Sequence, residues 1–194
     1  MISTLPAKPQ KLPQQWSHAM EDLLMQFAAY NIWASHRLLD LINALPEEKQ
    51  KTEVPNSFKS LYATVLHMWD AEGIWWQPMK MQERIIRPSE NFIGTMQDVC
   101  NGLMSQSNQW KDWVATATDL SLNHVFQNYD NKTEHFKMPV YQMLHHVFNH
   151  GTNHRGQLVN MLRQLGVEKI PQMDFPFGAG RSRGKYENDV IAPG

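Results

Sequence analysis

Apolar residues recur along this chain at three- and four-residue steps in four long stretches, separated by breaks marked with proline. From Trp16 onward, Leu23, Phe27, Tyr30, Ala34, Leu38, Leu41 and Leu45 form one stripe, and Pro46 is a natural stop. That spacing predicts a first helix. A second is predicted after Pro55, where Asn56 and Ser57 offer N-cap chemistry. Its apolar residues are Leu61, Val65, Met68, Trp69, Trp75 and Met79, and Pro78 marks its end. The mixed-charge segment Lys80 to Pro88 reads as a crossover connection. Ser89 or Asn91 then opens a third helix carrying Phe92, Met96, Val99, Leu103, Trp110, Trp113 and Val114, running to about Thr118.

The helical period breaks over residues 124–138. Val125, Phe126 and Tyr129, then Phe136 and Met138, flank Asp130-Asn131, which predicts a short hairpin-like excursion. After Pro139, at a tolerated first-turn position, a fourth helix carries Val140, Met143, Leu144, Val147, Gly151, Leu158, Met161, Leu162 and Leu165 inward, with Gly166 at C′. Four long amphipathic helices with little strand content predict an all-α four-helix bundle. The expected organisation is an extended Pro/Gln/Lys-rich arm over residues 1–15, the bundle over 16–166, and an irregular tail over 167–194.

Composition narrows the function classes. The chain has 194 residues, 42% of them hydrophobic, enough for one domain with a sizeable core. Lysine and arginine number 18 against 19 acids, so no basic face for nucleic acid is expected. Cys100 is the single cysteine, which excludes an intrachain disulfide framework and Cys-rich zinc modules, and fits a reducing compartment. The first residues lack the apolar run of a secretory signal, and no stretch has the roughly 18 to 20 apolar residues of a membrane span. A cytoplasmic protein with no membrane partner is the expectation.

Of nine histidines, His145, His146, His150 and His154 crowd into ten residues of the fourth helix. Side chains four apart on a helix lie roughly 6 Å along the axis from each other and can converge on one metal ion. His146/His150 and His150/His154 both meet that condition, but His146 and His154 are two turns apart. His154 falls on the apolar stripe and His150 at its edge, which selects that pair, and Gly151 allows close approach to the backbone. Catalytic zinc-type sites usually take three protein ligands, so a third is expected from another inward face. His67, beside Ala63, Thr64, Ala71 and Ile74, fits. Asp70, one turn after His67, is the candidate to orient that ring or assist proton transfer, with Glu72 as the other carboxylate. Solvated surface acids are the plain alternative for both. His18, His36, His124 and His135 lie on polar or irregular stretches and receive no role.

Three stretches resemble a known family. YNIWASHRLLDLINALPEE (30–48) resembles the opening helix of the DinB-like family of metal-binding four-helix bundles, LHMWDAEGIWW (66–76) is similar to its second-helix motif, and NHGTNHRGQL (149–158) to its third and most specific one. The resemblance implies His67, His150 and His154 as ligands of a divalent ion, zinc or nickel. It also implies a long crossover between the second and third helices, and a homodimer. Characterised members of that family include transferases and isomerases that use low-molecular-weight thiols. The family name, which comes from DNA-damage induction of a gene, implies no contact with DNA.

Three neutral imidazoles would leave an ion its full charge and one exchangeable position, able to acidify water or bind a thiolate. The expected function is therefore a metal-dependent transferase acting with thiols, or a hydrolase-like activity, on a small-molecule substrate. The competing expectation is a non-catalytic, stress-related binding or scaffold bundle whose metal is structural or absent. A carboxylate-bridged di-iron bundle is set aside, because it needs Glu-x-x-His pairs and the chain has none.

Overall fold

A computed structural model of the chain describes residues 14–80, 82, 84–129 and 135–178. Most of the expected N-terminal arm and the end of the expected tail lie outside them. The elements are α1 (Gln14–Asn43), α2 (Glu47–Lys51), α3 (Leu61–Met79), α4 (Met96–Thr116), α5 (Asp119–Asn123), β1 (Val125–Tyr129), β2 (His135–Pro139), α6 (Val140–Gln164) and α7 (Phe175–Gly178). The four long helices form the predicted bundle, and β1 and β2 pair antiparallel as the predicted hairpin, with Phe126 opposite Met138.

Side-chain pairings reveal the helix directions. Going down α3, Trp69 lies over Gly102, Glu72 meets Ser107 and Trp76 meets Trp110, so α3 and α4 run parallel. Against α4, α1 ascends, with Asn31 near Ser107 and Asn43 bonded to Gln97. Thr64 meets Met161 while His67 meets His150, so α6 opposes α3. The bundle is up-down-down-up. Two consecutive parallel helices require a connection that returns the length of the bundle, and residues 84–95 run back along α3 within it. Ile86 exchanges bonds with Gln77, Pro88 packs on Gly73, Ser89 bonds Asp70, Phe92 meets Trp69, and Tyr62 donates to the Gly94 carbonyl.

Helix ends differ from the sequence expectation where a tertiary contact claims the cap. Ser60, not Asn56 or Ser57, caps α3 by accepting from the Ala63 amide. A bond from the Val54 amide to the Lys59 carbonyl closes the intervening loop, and Asn56 turns its oxygen to the Ser57 amide. Ser89 is drawn to Asp70, and α4 starts instead at a capping box of Thr95 and Asp98. Phe92 therefore lies in the crossover. At α6, Pro139 is the N-cap, and Gly166, at φ 77°, ends the helix in a Schellman motif with Val167 N–H on the Leu162 carbonyl. Beyond it, Val167, Ile170 and Met173 pack on the core, and Phe175 meets the rings of Phe27 and Tyr30.

On α1 the predicted stripe is buried at Tyr30, Ala34 and Leu38, and Phe27, Leu41 and Leu45 pack partly buried on the core, but Leu23 is 47% exposed. Beside it runs a second buried seam of Leu24, Ala28, Asn31, Ser35, Leu38 and Ile42, in alternating steps of four and three. Two positions of that seam are polar. They belong to a layer to which all four long helices contribute, Asn31 and Ser35 from α1, Glu72 from α3, Ser107 from α4 and Arg155 from α6, all buried. Two apolar clusters fill the rest of the interior: one is built around Leu38, Leu61, Leu103 and Leu162, the other around Trp76, Trp110, Leu144 and Phe148.

Candidate metal centre

Antiparallel packing of α3 and α6 brings His67 opposite His150 and His154. The Nε2 of His150 lies 3.2 Å from that of His67 and 3.0 Å from that of His154, and one ring nitrogen of each falls within 4.8 Å of the others. Ligand bonds of about 2.0–2.1 Å at a tetrahedral ion place nitrogens roughly 3.3 Å apart. Both separations from His150 are close to that value. A single proton or lone pair on His150 Nε2 serves one neighbour well, not two, whereas a cation among the three rings satisfies every lone pair at once. The residues present therefore fit a metal ion, and among the described residues they are the group of this kind.

Electrostatics favour the ligand form. Burial, then the neighbouring His154, lowers the pKa of His67 to about 4, and burial with His154 and His67 brings His150 to about 4. Burial lowers His154 as well. The rings are neutral at pH 7, as metal ligation requires. Phe58, from the loop before α3, stacks on His67 at 3.9 Å between centroids and meets His154 edge-on at 5.6 Å, closing one side of the cluster. Sequence periodicity did not reach Phe58, because a loop residue has no period.

His146 stands apart: it is exposed, its ring 6.1 Å from that of His150 and 5.1 Å from that of Trp75. Of the other tryptophans, Trp110 is fully buried and Trp76 nearly so, as core residues.

Asp70 does not turn toward the rings. Its Oδ1 accepts from the Ser89 amide at 2.7 Å and its Oδ2 from the Ser89 hydroxyl at 2.6 Å, so its carboxylate anchors the crossover to α3. It acts on His67 only as a nearby negative charge that favours the imidazolium. The group that does bond a ring is Gln157, whose Oε1 lies 3.0 Å from His154 Nδ1. A residue three positions on along the same helix is a short reach, so the spacing carried that signal.

Glu72 belongs to the buried polar layer. It accepts from Asn31 Nδ2 at 3.0 Å and from the Ser107 hydroxyl at 2.8 Å, and burial pushes its pKa up to about 7 against these bonds. Arg155 donates to Asn31 Oδ1 at 2.6 Å, to Ser35 at 3.1 Å and to Thr152 at 2.9 Å, and its guanidinium lies over the Tyr30 ring. Gly151 makes this possible: a Cβ there would stand 2.7 Å from Asn31 Oδ1 and 3.1 Å from Arg155 Nη1. The glycine serves the helix contact beside the histidines.

An up-down-down-up bundle with three histidines converging from its second and fourth long helices defines a class of helical proteins able to hold a metal ion. Residues 20–183 match the DinB family model, and the chain belongs to that family. It is 25% identical over 162 residues to Protein DinB of Bacillus subtilis (strain 168), covering 78% of this chain and 91% of that one. A crystal structure of a DinB-like protein from Bacillus cereus ATCC 10987 superposes with a TM-score of 0.55 at 17% identity, covering 72% of this chain and 90% of that one. That likeness concerns the fold. No helix among the described residues is long and apolar enough to cross a membrane.

Proposed function

We propose that the chain binds one divalent ion, zinc or nickel, through Nε2 of His67, His150 and His154, and works as a metal-dependent transferase on low-molecular-weight thiols or, failing that, in a hydrolase-like reaction. The observation that carries the reading is the convergence of three neutral imidazoles, with His150 Nε2 at near-ligand spacing from those of His67 and His154. An ion held there supplies a Lewis acid that stabilises a thiolate or hydroxide. The chain's own part is to hold the rings neutral by burial and to shield them on one side with Phe58. With Asp70 bonded to Ser89 and Glu72 in the buried layer, neither carboxylate serves as a ligand, which leaves the ion's remaining position to an exogenous group such as a thiolate.

The test is elemental analysis of tag-free protein beside the His150→Ala/His154→Ala double variant. One ion per chain, absent from the variant, supports the site and justifies a screen of thiol acceptors. A wild type that takes up neither zinc nor nickel removes the reading in favour of a non-catalytic bundle. The homodimer and the cytoplasmic location that the family resemblance and composition suggest are part of the same proposal; light scattering at several concentrations reads the former.

A further inference from the structure

We propose that Gln157 is the positioning residue that holds His154 in the tautomer able to bind an ion. The inference rests on the metal-binding reading above. His154 is only 5% exposed, so the partner its Nδ1 finds within the protein, rather than bulk water, decides where the ring carries its proton. That partner is Gln157 Oε1 at 3.0 Å. With the oxygen accepting, Nδ1 carries the proton and Nε2 presents its lone pair toward His67 and His150, the side on which the three nitrogens converge.

The amide matters because it has two ends. If Gln157 turned its NH₂ to the ring, Nδ1 would become the acceptor and the proton would move to Nε2, directed at His150 Nε2 3.0 Å away. That arrangement closes the cluster with a hydrogen bond and leaves no lone pair on His154 for an ion. The orientation of one side-chain amide thus separates a metal-competent cluster from a hydrogen-bonded one. His67 and His150 have no comparable side-chain bond to their other ring nitrogen among the described residues, so the ring of His154 is the one whose tautomer is set in advance.

The test uses the full chain with zinc ion as the probe, competed against a chromophoric chelator, in the wild type and in Gln157→Leu and Gln157→Glu. Loss of a bond to a ligand's second nitrogen typically weakens metal affinity roughly 10- to 100-fold. Gln157→Leu is expected to show that loss while keeping its helical circular-dichroism spectrum, and Gln157→Glu, which keeps the acceptor, binds zinc at least as tightly as the wild type. Zinc affinity unaltered in Gln157→Leu, or lost equally in Gln157→Glu, overturns the proposal. Imidazole ¹⁵N shifts of the metal-free protein give a second readout that needs no ion. His154 is expected as the Nδ1–H tautomer in the wild type and not in Gln157→Leu, and an identical tautomer in both overturns the inference. A wild type that binds no zinc refutes the metal reading, and the ¹⁵N shifts still decide whether Gln157 sets the ring.

Discussion

Replacing Glu72 by glutamine isolates one titration in the centre of the bundle. Glu72 is fully enclosed between Asn31 and Ser107, and burial pushes its pKa up to about 7 from the ordinary 4.5. The folded state thus holds the proton more tightly than the unfolded chain does. The stability this proton confers is complete below pH 4.5 and is lost as the pH rises through 7. The interval between the two values corresponds to about 3 kcal/mol, of which about 2.5 kcal/mol develops between pH 5 and pH 8. The glutamine side chain of the variant can still accept from Asn31 and donate to Ser107, and it never charges. His67 and His150 titrate in the opposite sense, since their lowered pKa values cost stability as the pH falls from 6.5 toward 4, but they are common to both proteins. Urea unfolding of the wild type and Glu72→Gln in the presence of a chelator, at pH 5 and pH 8, therefore reads Glu72 alone. The variant is expected to gain about 2.5 kcal/mol on the wild type between the two conditions. Parallel pH profiles would show that Glu72 is ionised in the folded protein at neutral pH and refute the argument.

Two further substitutions test neighbouring contacts. Gly151→Ala gains about 1 kcal/mol of helix propensity but drives a Cβ to within 2.7 Å of Asn31 Oδ1; thermal denaturation is expected to show a net loss of about 1–2 kcal/mol, because the Arg155 bond must shift. Asp70→Ala releases Ser89 and with it the crossover, so unfolding free energy is expected to fall by about 1–2 kcal/mol while zinc affinity by chelator competition stays within a few-fold of the wild type. A collapse of affinity there instead would return Asp70 to the metal site.

The histidine cluster was legible because it obeys helical geometry: His150 and His154 are one turn apart, and His67 lies on an inward face. The four long helices and the hairpin were legible for the same reason, since amphipathic period and proline breaks are local properties of the chain. The polar part of the α1 core was not. Asn31 and Ser35 occupy core positions as polar residues, so a search for apolar spacing passed over them, and they are satisfied there because Glu72, Ser107 and Arg155 from three other helices supply partners. The helix starts at Ser60 and Thr95 and the anchoring of Asp70 depend likewise on loops folding back across the bundle.

What the sequence by itself determined, then, is the set of helices and the faces on which the histidines lie, because both follow from a period of 3.6 residues. Only the tertiary structure decided that α3 and α4 run parallel, that His67 on α3 brings its Nε2 to 3.2 Å from that of His150 on α6, and that Asp70 serves the crossover. Those outcomes are set by pairings between different segments of the chain, and a desolvated polar group takes whichever partner the packed bundle brings within reach.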